Sequence, residues 1–403
     1  MSGELRSRRA GGAPDTTASA WRAVGAVVLL LGLVACDAQP EEAGQASDAD
    51  TPVIVDAPTP GSGGQTPTGS PTPGEVEVTA QEAVDGLEVP WELVWAGEEV
   101  YVTQRDTGEL LSVDLASNET TVVDQFDVAP AGEGGLLGLA AHPEDPSTLY
   151  AYLSSAAGGD NRVVRFSPGE ADDAEVIVDG IPHAAIHNGG RLAFGPDGLL
   201  YVTTGDAGQG SRAQNASSLG GAILRLTPDG DVPADNPIPG SPVYATGIRN
   251  TQGLAWTGDG ELVAAEFGPD VDDEINVIQP GAAYGWPQVT GDAGREAFTD
   301  PIFVRQPPQA AWSGIEVLVD GAIPQWEGDA FAAALRGKRL WHLELGQQPR
   351  VTSAQPRLAD AYGRLRHVTQ GPQGALWLLT SNRDGRGAPQ AADDRIIRLG
   401  PPR

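Results

Sequence analysis

The residue types best suited to chemistry in this sequence gather around His187, which stands ahead of Asn188, Gly189, Gly190 and Arg191, with Asp206 closing the phrase LLYVTTGD. A histidine before two glycines lies on a loop with little side-chain cover, so its imidazole can face a cavity and a ligand can approach closely. A short loop, strand and turn can return Asp206 to the same side, where it would orient the ring and stabilise its protonated form. Taken alone, a His–Asp pair is weak evidence and fits a structural histidine better. In ATGIRNTQGL (245–254), Arg249 beside Asn250 offers a fixed cation and an amide donor, suited to polarising a carbonyl or holding a carboxylate; a turn arginine paired with a surface carboxylate has the same signature. The segment EFGPDVDDEIN (266–276) is dense in oxygen donors, and its Gly268-Pro269 turn leaves backbone carbonyls without strand partners. Calcium takes six to eight hard oxygens, yet the spacing is not that of an EF-hand, so a calcium loop and a solvated acidic loop both remain open. Arg336, Lys338 and Arg339 lie close together, and Arg364 and Arg366 share one face of a strand by the two-residue period. Converging on one site, such cations mark an anionic ligand; scattered, they are counter-charges.

Elements able to position these groups are read from a recurring phrase: a turn ending in glycine, a short apolar run, then a polar turn. It occurs as FGPDGLLYVTTGD (194–206), WTGDGELVAAEFG (256–268) and GPQGALWLLTS (371–381), and more loosely as WAGEEVYVTQRDTGELLSVD (95–114). Gly supplies positive φ in the turn and alternate residues after it face opposite ways, which is hairpin chemistry. Repeated hairpins over about 320 residues without helical periodicity predict an all-β, six-bladed β-propeller at roughly 50 residues per blade, with a β-sandwich as the alternative.

The chain has 403 residues, 40% of them hydrophobic, enough to bury a sizeable core. Its 25 Lys and Arg against 55 Asp and Glu leave a net charge of −30, a repulsive field for a phosphate backbone, so nucleic acid is excluded as a natural partner. Cys36 is the only cysteine, which excludes an intramolecular disulfide and cysteine-based metal clusters. It follows Arg6, Arg8, Arg9, Arg22 and an apolar run from Ala23 to Ala35 that is too short to span a bilayer comfortably. The ending Leu33-Val34-Ala35-Cys36 resembles a bacterial lipobox, predicting a lipoprotein signal peptide over 1–35 and lipidation at Cys36. Residues 36–79, rich in Pro, Gly, Ser, Thr and acids, read as a disordered tether, and 80–403 as one folded domain. The predicted location is outside the cytoplasm, lipid-anchored to the cell envelope.

HNGGRLAFGPDGLLYVTTGD, GIRNTQGLAW, EFGPDVDDEIN, AAYGWP and GRLRHV, in this order and preceded by PWELVWAGEEVYVTQRDTGELLSVD and GEGGLLGLAAHP, resemble the soluble quinoprotein glucose and aldose-sugar dehydrogenases over about residues 87 to 400. The resemblance implies a six-bladed propeller that binds pyrroloquinoline quinone (PQQ) and calcium. The implied reaction is oxidation of the anomeric hydroxyl of aldoses to lactones, with electrons passed to an external acceptor. It implies His187 as general base with Asp206 beside it, Arg249 and Asn250 at the quinone carbonyls, and Arg364 and Arg366 at its carboxylates. Gly268 and Pro269 would offer carbonyls to the cofactor's calcium, and Glu274 and Tyr284 would serve a second, structural one. Two cofactor positions depart from the pattern: Glu133 stands where relatives carry glutamine, and Arg336 where they carry lysine. Ile186 removes a polar sugar contact of glucose-active members. A non-redox binding propeller and a calcium-dependent lactonase are the alternative readings on the same scaffold.

Overall fold

The fold is that of a computed structural model, in which residues 76–347 and 350–402 are described. The signal peptide, Cys36 and nearly all of the tether lie outside the described residues. Twenty-four strands form six four-stranded antiparallel sheets, so the six-bladed propeller expected from the repeats is the observed architecture. Blade 1 comprises Pro90–Ala96, Glu99–Gln104, Glu109–Asp114 and Glu119–Gln125; blade 2, Leu136–Ala141, Leu149–Ser154, Asn161–Phe166 and Glu175–Ile181; blade 3, Leu192–Phe194, Leu200–Thr203, Ala222–Leu226 and Val243–Thr246. Blade 4 comprises Thr251–Trp256, Leu262–Glu266, Asp273–Ile278 and Phe303–Arg305; blade 5, Trp312–Val317, Ala330–Ala334, Arg339–Leu345 and Val351–Arg357. Blade 6 takes Leu365–Gln370, Leu376–Thr380 and Ile396–Gly400 from the C-terminal end and closes with Thr79–Val84, which pairs antiparallel to Ile396–Gly400. The ring is thus fastened by the two ends of the folded unit. Val76 and Val78 already pack against the core of the last blades, and Val76 exchanges hydrogen bonds with the Gln325 amide.

Each blade is covered on both faces by its neighbours, so its middle strands read as unbroken apolar runs rather than alternating ones. LYAYLS (149–154), AFAAA (330–334) and LWLLT (376–380) are buried at every position. Tyr150, Tyr152 and Leu224 fill one inter-blade layer, and Trp312, Trp341 and Leu343 another. Side chains of this size contribute about 1.5–3 kcal/mol each when fully buried. The outer strand Glu119–Gln125 is largely exposed and correspondingly polar.

Strand direction alternates within a blade. Links from second to third strand, and from fourth strand to the next blade, therefore open at one end of the central channel; links from first to second and third to fourth start at the other. Between the ends the channel is plugged by a buried cluster from the inner edge of three blades, in which Glu92 pairs with Arg191 and His367 Nε2 lies 3.2 Å from Glu92 Oε1.

Candidate active site

At the end formed by the second-to-third and blade-to-blade links lies a cavity of about 390 Å³. Glu133, His187, Arg249, Asn250, Gly268, Pro269, Arg336 and Arg364, all candidates from sequence, line it together. Phe267, Asp273, Leu335 and Arg386 line it as well and were not anticipated. Arg366 does not line it; it lies beneath, buried, with NH1 donating to Gln252 Oε1 at 2.8 Å.

His187 sits on the link from blade 2 to blade 3 with φ 58°, a left-handed conformation costly for a residue with a side chain. The loop is pressed against the start of the next link. A Cβ on Gly205 would collide with the His187 carbonyl, and one on Gly189, at φ 63°, would sit 2.6 Å from Thr204 Cα. This is why the phrase carries glycine at both places. The Gly189 N–H donates to Asn250 Oδ1 at 2.9 Å, tying the loop to the Arg-Asn motif of the following blade.

His187 Nδ1 lies 2.7 Å from Asp206 Oδ1. A carboxylate only accepts, so Nδ1 carries a proton, and in the neutral ring Nε2 is the nitrogen that keeps its lone pair. Asp206 also accepts from Trp286 Nε1 at 2.8 Å and from the Gly208 N–H at 2.7 Å. Burial pushes this carboxyl up, but the hydrogen bonds from His187 and Trp286 outweigh it and hold it below the usual range. Asp206 is therefore ionised throughout the neutral range. Trp286 belongs to AAYGWP, a phrase whose order was legible while its partner was not.

The cations converge. Arg249 NH1 donates to the Phe267 carbonyl at 3.0 Å, its guanidinium lies 5.4 Å from the Trp286 ring centroid, and its buried Nε has no hydrogen-bond partner among the described residues. Burial lowers its pKa, against the opposing pull of Asp206, Glu266, Glu133 and Asp273. Arg364 donates to Asp384 Oδ2 from Nε at 3.0 Å and from NH2 at 2.6 Å, and Arg366 NH2 lies 3.7 Å from the same oxygen. Burial pushes Arg366 down to about 9, so it remains cationic at neutral pH, and its Nε is also orphaned. Arg336 is exposed at the rim without an ion-pair partner among the described residues. Orphaned buried donors beneath a cavity ringed by arginines suit a polyanionic ligand, and the residues present fit an anionic quinone.

On the opposite wall, Gly268 donates its N–H to Asp273 Oδ1 at 2.8 Å, and its carbonyl and that of Pro269 accept no hydrogen bond among the described residues. Burial pushes Asp273 up to about 6. Behind it, Glu266 and Glu274 pair across adjacent strands; burial, with the neighbouring carboxylate, drives Glu266 well above the ordinary range. Crowded buried carboxyls beside two free carbonyls suit a cation, whose charge would let them ionise. No group of three or more His, Cys, Asp or Glu side chains is arranged to hold a metal among the described residues, so a cation here would rest on backbone oxygens. Glu274 accepts from the Gly291 N–H at 2.6 Å, while the Tyr284 hydroxyl donates to the Val277 carbonyl at 2.6 Å. The structure thus gives both side chains other partners.

Residues 87–397 match the model of the glucose/sorbosone dehydrogenase family. The chain is 34% identical over 248 residues to quinoprotein glucose dehydrogenase B of Acinetobacter calcoaceticus, covering 52% of each protein. It is 29% identical over 342 residues to an aldose sugar dehydrogenase of Escherichia coli, covering 76% of this chain and 91% of that one. Among solved structures, the PQQ-bound aldose sugar dehydrogenase of Streptomyces coelicolor superposes with a TM-score of 0.74 at 41% identity, over 81% of this chain and 98% of that one. With a family match spanning most of the folded unit, and the pocket built from the residues that carry the likeness, the chain belongs to the glucose/sorbosone dehydrogenase family.

Proposed function

We propose that this protein oxidises the anomeric hydroxyl of aldose sugars to the lactone in a PQQ- and calcium-dependent reaction, passing electrons to an external acceptor. The observation that carries this reading is the convergence of His187–Asp206 with Arg249, Arg336 and Arg364 around one cavity. When bound, the quinone supplies the two-electron sink. His187 Nε2 takes the proton of the sugar hydroxyl, because Asp206 holds the ring in the tautomer with that nitrogen bare. As the ring becomes cationic, the ionised Asp206 stabilises it, and Trp286 fixes the carboxylate in turn. Arg249, with one donor spent on Phe267 and another free, supplies fixed positive charge where negative charge grows. Arg364 and Arg336 hold carboxylates of the cofactor. Gly268 and Pro269 offer their carbonyls to calcium.

The deciding experiment adds PQQ and calcium to the purified chain and follows dye reduction with a panel of aldoses. Sugar-dependent reduction that needs both additions is expected, with the lactone identified as product. Absence of turnover despite stoichiometric quinone uptake would defeat the reading. We also propose export and lipid anchoring through Cys36, supported by its place after the apolar run. Cys36→Ser is expected to move the protein into the soluble fraction, and unchanged membrane recovery would remove the proposal.

A further inference from the structure

Glu133, on the link into blade 2, and Arg386, between the second and third strands of blade 6, meet at the pocket with Arg386 NH2 2.9 Å from Glu133 Oε1. The other carboxylate oxygen, Oε2, accepts the backbone N–H of His187 at 2.9 Å, and the Glu133 N–H donates to the Ala185 carbonyl at 2.9 Å. One carboxylate therefore grips the strained backbone of the base with one oxygen and a pocket cation with the other. Arg386 is in turn held through its backbone, its N–H donating to Asp384 Oδ1 at 2.9 Å, and Asp384 Oδ2 receives Arg364. Two carboxylates thus bind the base and the anion-binding arginines into a single network. The Arg386 side chain is 58% exposed and, among the described residues, spends only one guanidinium contact on protein. Solvent screens the pair on its arginine side, and the donors that face solvent are open to a ligand.

We propose that Arg386 is a further anion-binding residue of this pocket and that Glu133, its charge offset by Arg386, is the positioning residue that holds the His187 backbone in place. Glu133 alone would repel an anionic cofactor; joined to Arg386 it presents a pair with no net charge and several free donors. The inference rests on the quinoprotein reading for the identity of the natural anion, but its test does not.

The full-length protein with calcium is titrated with PQQ and, separately, with benzene-1,3,5-tricarboxylate, following tryptophan fluorescence. Arg386→Ala should weaken both anions about tenfold at low salt, the difference shrinking as screening rises toward about 0.3 M. Glu133→Ala should lower kcat while leaving PQQ binding equal or tighter, because the base loses its anchor and the pocket loses a negative charge. Glu133→Gln, which keeps an acceptor for the His187 N–H, should recover kcat relative to Glu133→Ala; thermal unfolding midpoints confirm that each variant is folded. Parental affinity of Arg386→Ala for both anions at low salt overturns the binding role. Parental kcat in Glu133→Ala, or no recovery in Glu133→Gln, overturns the positioning role. If the parent fails to bind PQQ, the functional reading falls and the benzenetricarboxylate titration alone decides on Arg386.

Discussion

The two ends of the propeller channel are made from the same strands and have opposite characters. At one end the first strand of each blade folds back into the second, and in four blades the turn is the recurring phrase, with Gly97, Gly198, Gly260 and Gly374 at φ values of 67°, 74°, 84° and 75°. The mouth there is walled by Trp95, Leu254, Trp256, Val317 and Gln370, with Glu316 and Asp320 among them and no arginine. At the other end the links range from four residues (105–108) to eighteen (204–221) and share no repeated phrase, and these links supply His187, Asp206, Arg249, Arg336, Arg364 and Arg386. In a chain of net charge −30, gathering guanidinium groups at one mouth creates a local positive field against the global one. Regular turns hold the ring together and irregular links carry the candidate site, because only the latter are free to vary without breaking strand pairing.

Substitutions at the two ends sharpen the contrast. The largest effect is expected for His187→Asn, which keeps size and a hydrogen bond but has no basic nitrogen: turnover at saturating sugar should fall about 10²–10⁴-fold with near-normal quinone binding. Turnover within about threefold of the parent would place the base elsewhere. Gly205→Ala comes next. Its Cβ would displace the His187 carbonyl and with it the base, and misplacement on the scale of 1 Å can cost about 10²-fold in kcat. A fully active Gly205→Ala protein would show that the loop contact does not set the base.

At the other mouth, Glu316→Gln should change pH-dependent stability and leave sugar turnover alone. Burial pushes the Glu316 carboxyl up to about 8, with Glu92 adding repulsion and contacts from Gln370 and Thr369 opposing. The folded state thus holds this proton more tightly than the unfolded chain between about pH 4.5 and 8. Stability contributed by the protonated carboxyl is complete below the unfolded value and is lost as pH rises through the folded one. Unfolding midpoints of the parent should therefore decline across that window more steeply than those of Glu316→Gln; parallel curves would count against it. The smallest effect is expected for Gly198→Ala, whose Cβ meets nothing within 4 Å: a loss of about 1 kcal/mol from the left-handed backbone alone, with kcat unchanged. Comparing Gly198→Ala with Gly205→Ala separates the conformational cost of a turn glycine from the steric cost of one beside the base.

The propeller was legible because four blades repeat the same glycine turn, and the blade number because about 320 residues hold six units of roughly 50. Blades 2 and 5 escaped the repeat: their first-to-second links run through HPEDPST (142–148) and the longer stretch 318–329, which contains a short 3₁₀ turn at Pro324–Trp326. The middle strands read as short apolar runs in the sequence, as they are in the structure, since packing on both faces removes the polar side. Among site residues, those in glycine-bearing motifs were readable: His187, Asp206, Arg249, Asn250, Gly268 and Pro269 each sit where a close backbone approach leaves a trace in the composition. Arg386 and Asp384 lie in an unremarkable turn, NRDGRG (382–387), and their importance comes from partners far away in sequence.

By itself the sequence determined the class of fold, the surplus of negative charge and the residue types of a base, its orienting acid and a set of anion-binding cations, because local turn chemistry and composition are properties of neighbouring residues. Only the tertiary structure decided which cations face the cavity. It sent Arg366 beneath the floor and Arg386 onto the wall, and it made Glu133 the anchor of the His187 backbone rather than a bare charge opposing the cofactor. These outcomes depend on how six blades close into a ring, which brings residues more than 250 positions apart within hydrogen-bond reach; no local pattern records that closure.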